Sequence, residues 1–278
     1  MRFLHAPLHA LYGNLKMLLL VVITISACNK SHVQTFTPAA MGHGGMGTHS
    51  LYPNNSLESL LKCVASGADG TDIDVQITKD SVLVLYHNKT LDRTTSVNGE
   101  ICNTTWSELQ YAYYTGYSYA RYNLIRLKDA LHALPLQSFT LSLDCKFKNE
   151  NPDKAYLRWF ARQIKACCTE YPLLQTCFVE SVNPYFLNYL QDLSLNIKPV
   201  LYTRNFDGGV NTAIQYRYFG ISMSNLEITN DNVKTAQHAG LYVMVWDVSS
   251  FKDHDNALQK QPNCIQSDRI QYLLKQIR

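Results

Sequence analysis

From Thr176 onward the chain contains TCFVES (176–181), PVLYT (199–203), YFGISM (218–223), LYVMVWDV (241–248) and CIQS (264–267), five β-rich runs recurring about every 20 residues. That interval leaves room for one helix between neighbours, so the runs are expected to pair in parallel through helical crossovers. Upstream, FTLSLDC (139–145), VLVLYH (82–87) and TDIDVQI (71–77) bring the number of expected strands to eight. No obvious hairpin turn separates them, which favours a closed α/β barrel over an open doubly wound sheet.

Helix signals fill the gaps. Asn55 with Glu58 three residues on reads as a capping box, followed by Leu57, Leu60, Leu61 and Val64 on one face and by Gly67 at the end. Asn151-Pro152 and Asn183-Pro184 each offer a capping side chain followed by a φ-locked proline. One stretch breaks the rhythm. Some fifty residues separate His87 from Phe139, and six of the 18 tyrosines fall within YAYYTGYSYARY (111–122). A connection that long is usually functional, here a rim subdomain or a lid over substrate.

The first 27 residues carry Arg2 and Lys16 and no acidic group, followed by MLLLVVITISA (17–27). Eleven such residues are too few to span about 30 Å of hydrocarbon as a helix and fit a secretory h-region. Ile25-Ser26-Ala27-Cys28 resembles a bacterial lipobox, so residues 1–27 are expected to be a lipoprotein signal peptide, Cys28 the lipidated residue and 28–36 a tether. The body is then expected to be exported and lipid-anchored to a bacterial membrane. Removing 27 of the 278 residues leaves 251, one barrel's worth over 37–278. It also leaves 23 basic against 22 acidic groups, a balance that argues against a nucleic-acid partner. With Cys28 set aside, seven cysteines remain, an odd number lacking CxxC or zinc-ligand spacing. Cys145, Cys177 and Cys264 lie in apolar runs as small core residues, and one or two disulfides elsewhere remain open.

GHGGMG (42–47) formally matches a dinucleotide fingerprint, but Pro53 follows before any helix starts, so the glycines are expected to turn the backbone around His43. Asp72 and Asp74 are two apart on a strand and share a face; Asp144 and Lys146 repeat the pattern on another. Three carboxylates at strand ends suit a hard divalent cation, Ca²⁺ or Mg²⁺, and Lys146 suits a phosphate oxygen. His43 and His87 end their strands at the same level and can divide the acid and base roles.

These residues, in this order, resemble the glycerophosphodiester phosphodiesterase family. Its HRG, PENT, ExDVxxTKD, HDxxLxRTT and ExK motifs have counterparts in HGG (43–45), PNNS (53–56), DIDVQITKD (72–80), HNKTLDRTT (87–95) and DCK (144–146), with VWDV (245–248) near the end of a late strand. The resemblance implies a (β/α)8 TIM-type barrel with a small insertion after the second strand, at about 88–125. It also implies metal-dependent hydrolysis of glycerophosphodiesters to an alcohol and sn-glycerol 3-phosphate. His43 and His87 would be the acid/base pair, Asp72, Asp74 and Asp144 the metal ligands, Lys146 a phosphate contact, and Trp246 a residue lining the glycerol side. The departures are Gly44 for the arginine of HRG, Asn54 for the glutamate of PENT, Asn88 for the aspartate of HD, and aspartate for glutamate at 72 and 144. Losing the arginine removes a bidentate phosphate donor, and no neighbouring residue obviously replaces it. Three readings follow: the family's hydrolysis, a phospholipase-like or phosphate-cyclising variant, and a non-catalytic ligand-binding lipoprotein.

Overall fold

The computed structural model describes residues 36–117, 120–171, 177–193 and 196–278. The expected signal peptide, Cys28 and nearly all of the tether lie outside the described residues.

Eight parallel strands close a barrel: β1 (Ala39–His43), β2 (Gly70–Ile77), β5 (Thr140–Cys145), β6 (Phe178–Ser181), β7 (Lys198–Tyr202), β8 (Gly220–Ser224), β9 (Tyr242–Val248) and β10 (Cys264–Ser267). Their order, β1-β10-β9-β8-β7-β6-β5-β2, closes where Met41, Gly42 and His43 pair with Gly70, Thr71 and Asp72. The expected barrel is present, but its membership differs from the expected set by one exchange. AAMGH (39–43), absent from the eight runs although His43 was expected to end a strand, closes the barrel, whereas VLVLYH does not belong to it. Its middle forms β3 (Leu83–Leu85), which pairs antiparallel with Val75 to Ile77 of β2. The connecting hairpin was hidden because its turn uses Ser81 at φ +73° in place of a signalling glycine or asparagine. Thr78 fastens that turn, donating to Asp80 at 2.6 Å and accepting from the Val82 N–H at 2.9 Å.

β2 therefore has two partners on one edge, β1 along its first half and β3 along its last three residues. This exchange attaches the insertion to the mouth of the barrel. β4 (Ile125–Arg126) adds to β3, and Val84, Tyr86, Leu91, Ile101, Leu109, Tyr114 and Tyr122 give the insertion an apolar cluster of its own.

Outside the barrel lie α1 (Leu57–Ala65), α3 (Leu127–Ala133), α4 (Lys154–Glu170), α5 (Pro184–Asp192), α6 (Phe206–Gln215), α7 (Asn230–His238), α8 (Phe251–Lys260) and α9 (Ile270–Ile277), with the short α2 (Trp106–Leu109) in the insertion. Asn183 caps α5 as expected, but Asp153, not Asn151, caps α4, and Ser56, not Asn55, caps α1. Asn55 is taken by another contact, described below. Inside the barrel the floor is apolar, formed by Met41, Phe178, Val200, Met244 and Cys264. Two residues further along β5, β6 and β10 the lining turns polar: Ser142 and Gln266 both donate to the buried Glu180, each at 2.5 Å. The cysteines expected in the core, Cys145, Cys177 and Cys264, are buried there, and the seven described cysteines are all free thiols.

Candidate active site

At the carboxyl end of β1 the chain reverses through Gly44 and Gly45, at φ +60° and +104°, a region open to glycine at little cost. Gly44 N–H donates to Asp72 and Gly45 N–H to Thr71, each at 2.8 Å. The GHGGMG run thus turns the backbone around His43, as expected. A β carbon on Gly44 would stand 2.7 Å from that of Asn54, so two departures from the motifs touch one another. An arginine here would need Asn54 to move.

His43 lies between two carboxylates. Its Nδ1 donates to Asp268 at 2.8 Å, and its Nε2 faces Asp72 at 3.9 Å. Burial disfavours a charged imidazole, but Asp72, Asp268 and Asp74 outweigh it and lift the His43 pKa to about 10. Burial pushes Asp72 up to about 7, partly offset by His43. Asp268 is buried too, yet His43, Ser249 and Thr48 hold its carboxyl well below the usual range. Asp268, at the exit of β10, is not among the residues that the sequence singles out; its place at a barrel-strand end is the available signal.

Asp74 is held by Asn55, whose amide donates to the carboxylate at 2.7 Å and accepts the Asp74 N–H at 2.9 Å. Asn55 reaches both atoms from φ +67°, which is why it does not cap α1. Asp74 pairs with Asp144 in the β2–β5 register, and the Lys146 ammonium stands between them, 3.2 Å from Asp74 and 2.5 Å from Asp144. Although burial opposes ionisation of Asp74, Lys146 and the histidines keep its carboxyl below the usual range, while Asp144 and Asp74 raise the Lys146 pKa in turn.

The expected metal triad is therefore present as residues but is not gathered. Asp72 serves His43, while Asp74 and Asp144 serve Lys146. Among the described residues no three His, Cys, Asp or Glu side chains meet as cation ligands. The chemistry of the set still fits a hard cation: three carboxylates on adjacent strands, with the buried Asp74 Oδ1 making no hydrogen bond and only the ion pair to Lys146. The Lys146 ammonium stands between two of these carboxylates.

His87 follows β3, which runs back toward the barrel, so the hairpin register sets it opposite Ile73. It is exposed, with Nδ1 3.1 Å from the Asn88 amide oxygen. His43, His87, Asp72, Asp144, Lys146 and Trp246 all line one cavity of about 560 Å³. Trp246 stacks on Tyr202 with centroids 5.2 Å apart, and its indole N–H is buried without a hydrogen-bond partner. Lys89 and Arg204 line the same cavity. Both come from outside the HGG motif.

A family model described as the glycerophosphoryl diester phosphodiesterase family matches residues 46–272. A glycerophosphodiester phosphodiesterase of Caldanaerobacter subterraneus is 23% identical over 230 residues, covering 81% of this chain and 93% of that protein. Among solved structures, an Oleispira antarctica phosphodiesterase in complex with the product sn-glycerol-3-phosphate superposes with a TM-score of 0.76 at 19% identity, over 87% of this chain and 97% of that one. A Parabacteroides distasonis glycerophosphodiester phosphodiesterase gives 0.76 at 19% identity, over 87% and 98%.

Proposed function

The chain belongs to the glycerophosphoryl diester phosphodiesterase family, and from that premise we propose that it hydrolyses glycerophosphodiesters to an alcohol and sn-glycerol 3-phosphate with His43 and His87 as its proton-transfer pair. As a member it is a phosphoric diester hydrolase. The observation that carries the mechanistic reading is the meeting of His43, His87, Asp72, Asp144 and Lys146 on one cavity at the carboxyl end of the barrel.

A diester phosphate in that cavity has Lys146, Lys89 and Arg204 as cations for its non-bridging oxygens. One imidazole takes the proton of the attacking water and the other gives one to the departing alcohol oxygen, so neither step releases a strong base into solution. Asp268 contributes by fixing the tautomer: with Nδ1–H committed to the carboxylate, Nε2 is the nitrogen that exchanges a proton with substrate. Trp246 offers its unpaired indole N–H to the glycerol hydroxyls. The family generally depends on a divalent cation. Here Asp72, Asp74 and Asp144 would hold it, as Ca²⁺ or Mg²⁺, and when bound it supplies charge that polarises the phosphoryl oxygens. Lys146 would then exchange its carboxylates for a phosphate oxygen.

The test is release of glycerol 3-phosphate from glycerophosphodiesters by the purified protein, with and without EDTA, beside His43→Ala. Activity that survives both chelation and the substitution rejects the mechanism. Phosphorus NMR of the products separates hydrolysis, which gives a monoester, from cyclisation, which gives a cyclic phosphate. We also propose that Cys28 carries lipid and that the mature chain is exported and held at a bacterial membrane, on the strength of Ile25-Ser26-Ala27-Cys28. Cys28→Ala should move the protein from the membrane to the soluble fraction; unchanged membrane retention would reject the anchor.

A further inference from the structure

A second cavity, of about 430 Å³, opens beside the first. Among the described residues the two share His43 and His87 and no other lining residue. A phosphodiester has two alcohol arms, and a phosphate at the histidines sends one arm into each cavity. This step rests on the diester hydrolysis proposed above. The larger cavity holds the cations and Trp246, so it takes the glycerol phosphate arm and the smaller one receives the leaving alcohol.

The smaller cavity differs in kind. Tyr86, Tyr114 and Tyr117 line it with Asn54, Asn88 and Thr94, and among the described residues no Asp, Glu, Lys or Arg lines it. The Tyr86 hydroxyl is already committed, donating to the Thr90 carbonyl at 2.8 Å and lying 2.6 Å from the Thr94 hydroxyl. The Tyr114 hydroxyl is not. The residue is 9% exposed, and its hydroxyl oxygen is buried with no hydrogen-bond partner among the described residues. The backbone presenting it is fixed, because Tyr114 bridges to Thr95 and its N–H donates to the Tyr122 carbonyl at 2.8 Å. Orphaned buried hydroxyls are rare, and one rigidly held beside a cavity calls for a bound partner, a water or a ligand group. The cavity offers an ammonium no carboxylate, and it puts two imidazoles at the shared wall. The Tyr86 and Tyr114 rings also lean on each other, with centroids 6.1 Å apart at 37°, rather than opening as a cage.

We propose that the smaller cavity binds the leaving alcohol and selects an uncharged polyhydroxylic one, with Tyr114 as its hydrogen-bonding contact. Amino and quaternary ammonium alcohols are the disfavoured class.

The test compares glycerophosphoglycerol, glycerophosphocholine, glycerophosphoethanolamine and the methyl ester of glycerol phosphate, for the native protein and Tyr114→Phe. The hydroxyl makes no hydrogen bond to lose, so the variant should fold with an undiminished Tm. Expected are the highest kcat/KM for glycerophosphoglycerol and, in the variant, a fall of about three- to tenfold in its advantage over the methyl ester. Calorimetric binding of glycerophosphoglycerol to His87→Ala, and to His87→Ala with Tyr114→Phe, should show the same ratio in Kd. A preference for choline or ethanolamine esters, or an equal effect of Tyr114→Phe on all four substrates, overturns the assignment. If no ester turns over but glycerophosphoglycerol binds and depends on Tyr114, the hydrolysis reading fails and the polyol cavity stands. Neither turnover nor binding overturns both.

Discussion

The two cavities on either side of the histidine pair are built from opposite materials. The larger one is walled by strand ends and carries Asp72, Asp144, Glu180, Lys89, Lys146 and Arg204. The smaller one is walled by the loop after β1 and by the insertion, and apart from the histidines its described lining is uncharged. The barrel strands supply Asp72, Asp144 and Glu180, on elements that cannot shift without breaking the sheet, Lys146 and Arg204 follow strand ends, and the insertion supplies Lys89 together with shape and neutral hydrogen bonding. Phosphate chemistry and choice of alcohol can then vary separately, because only His43 and His87 belong to both.

The strongest way to break this division is at the shared wall. His43→Ala and His87→Ala should each lower kcat by about 10²–10⁴-fold, the range of a lost general acid or base, and by the same factor for every diester. Steady-state kinetics on two esters with different alcohols checks this. A loss confined to one ester would move that histidine out of the reaction and into the alcohol cavity.

Next comes the cation in the charged cavity. Lys146→Met leaves Asp74 and Asp144 facing each other unpaired, and chemical denaturation in EDTA should show a loss of about 3 kcal/mol, as for other broken, partly buried pairs. Added Ca²⁺ or Mg²⁺ should raise the Tm of this variant more than that of the native protein, since the ammonium no longer competes for the carboxylates. Equal responses would mean that the carboxylates are not the cation's ligands.

What the sequence disclosed divides along the same line. The charged cavity was largely readable, because Asp72 with Asp74 and Asp144 with Lys146 obey the two-residue repeat of a strand, so facing and level follow from spacing alone. The barrel was readable from the regular interval between its later strands. Three features were not. Whether VLVLYH pairs parallel inside the barrel or antiparallel outside it depends on which edge of β2 is free, a tertiary fact. Asn55 has two competing uses, and the helix cap lost because two hydrogen bonds to a buried aspartate outweigh one to an exposed N–H. Asp268 bonds to His43 across 225 residues, with no local pattern to announce it. The neutral cavity was the least legible, since tyrosines in an insertion read equally as packing or as a binding surface.

Asp268→Asn sharpens the comparison from the positioning side. It should lower kcat by about 30-fold through loss of the fixed tautomer, with KM moved less, because Nδ1 then meets an amide that can donate as well as accept. The pH dependence follows from the two shifts. His43 is raised to about 10, so its pairing contributes fully below about pH 6.5, its ordinary value, and is lost as pH rises through 10. Asp268 is depressed, so its contribution is present above the ordinary carboxylate range and is lost as pH falls through its folded value. The Tm margin of native protein over Asp268→Asn, measured in EDTA, should peak between about pH 4 and 6.5 and narrow toward pH 10. Asp72 is common to both proteins, so its own titration largely cancels. A margin that is flat across this range would mean that the two groups are not linked in folding.

The smallest effect concerns the polar layer under the charged cavity. Glu180 is buried on β6, accepts from Ser142 and Gln266, and has its pKa raised first by burial and then by Asp144. A carboxyl raised in the folded state costs stability progressively as pH climbs above its unfolded value, because the native chain resists losing the proton that the unfolded chain has already shed. Glu180→Gln keeps an acceptor for Ser142 and Gln266 and removes the titration. The variant should match the native protein near pH 4 and be more stable by about 1 kcal/mol at pH 7, measured by denaturation in EDTA. It should leave the ranking among alcohols untouched, because Glu180 lines only the charged cavity. A shift in that ranking would show that charge beneath the barrel mouth reaches across the histidines, and the separation of the two cavities would fail.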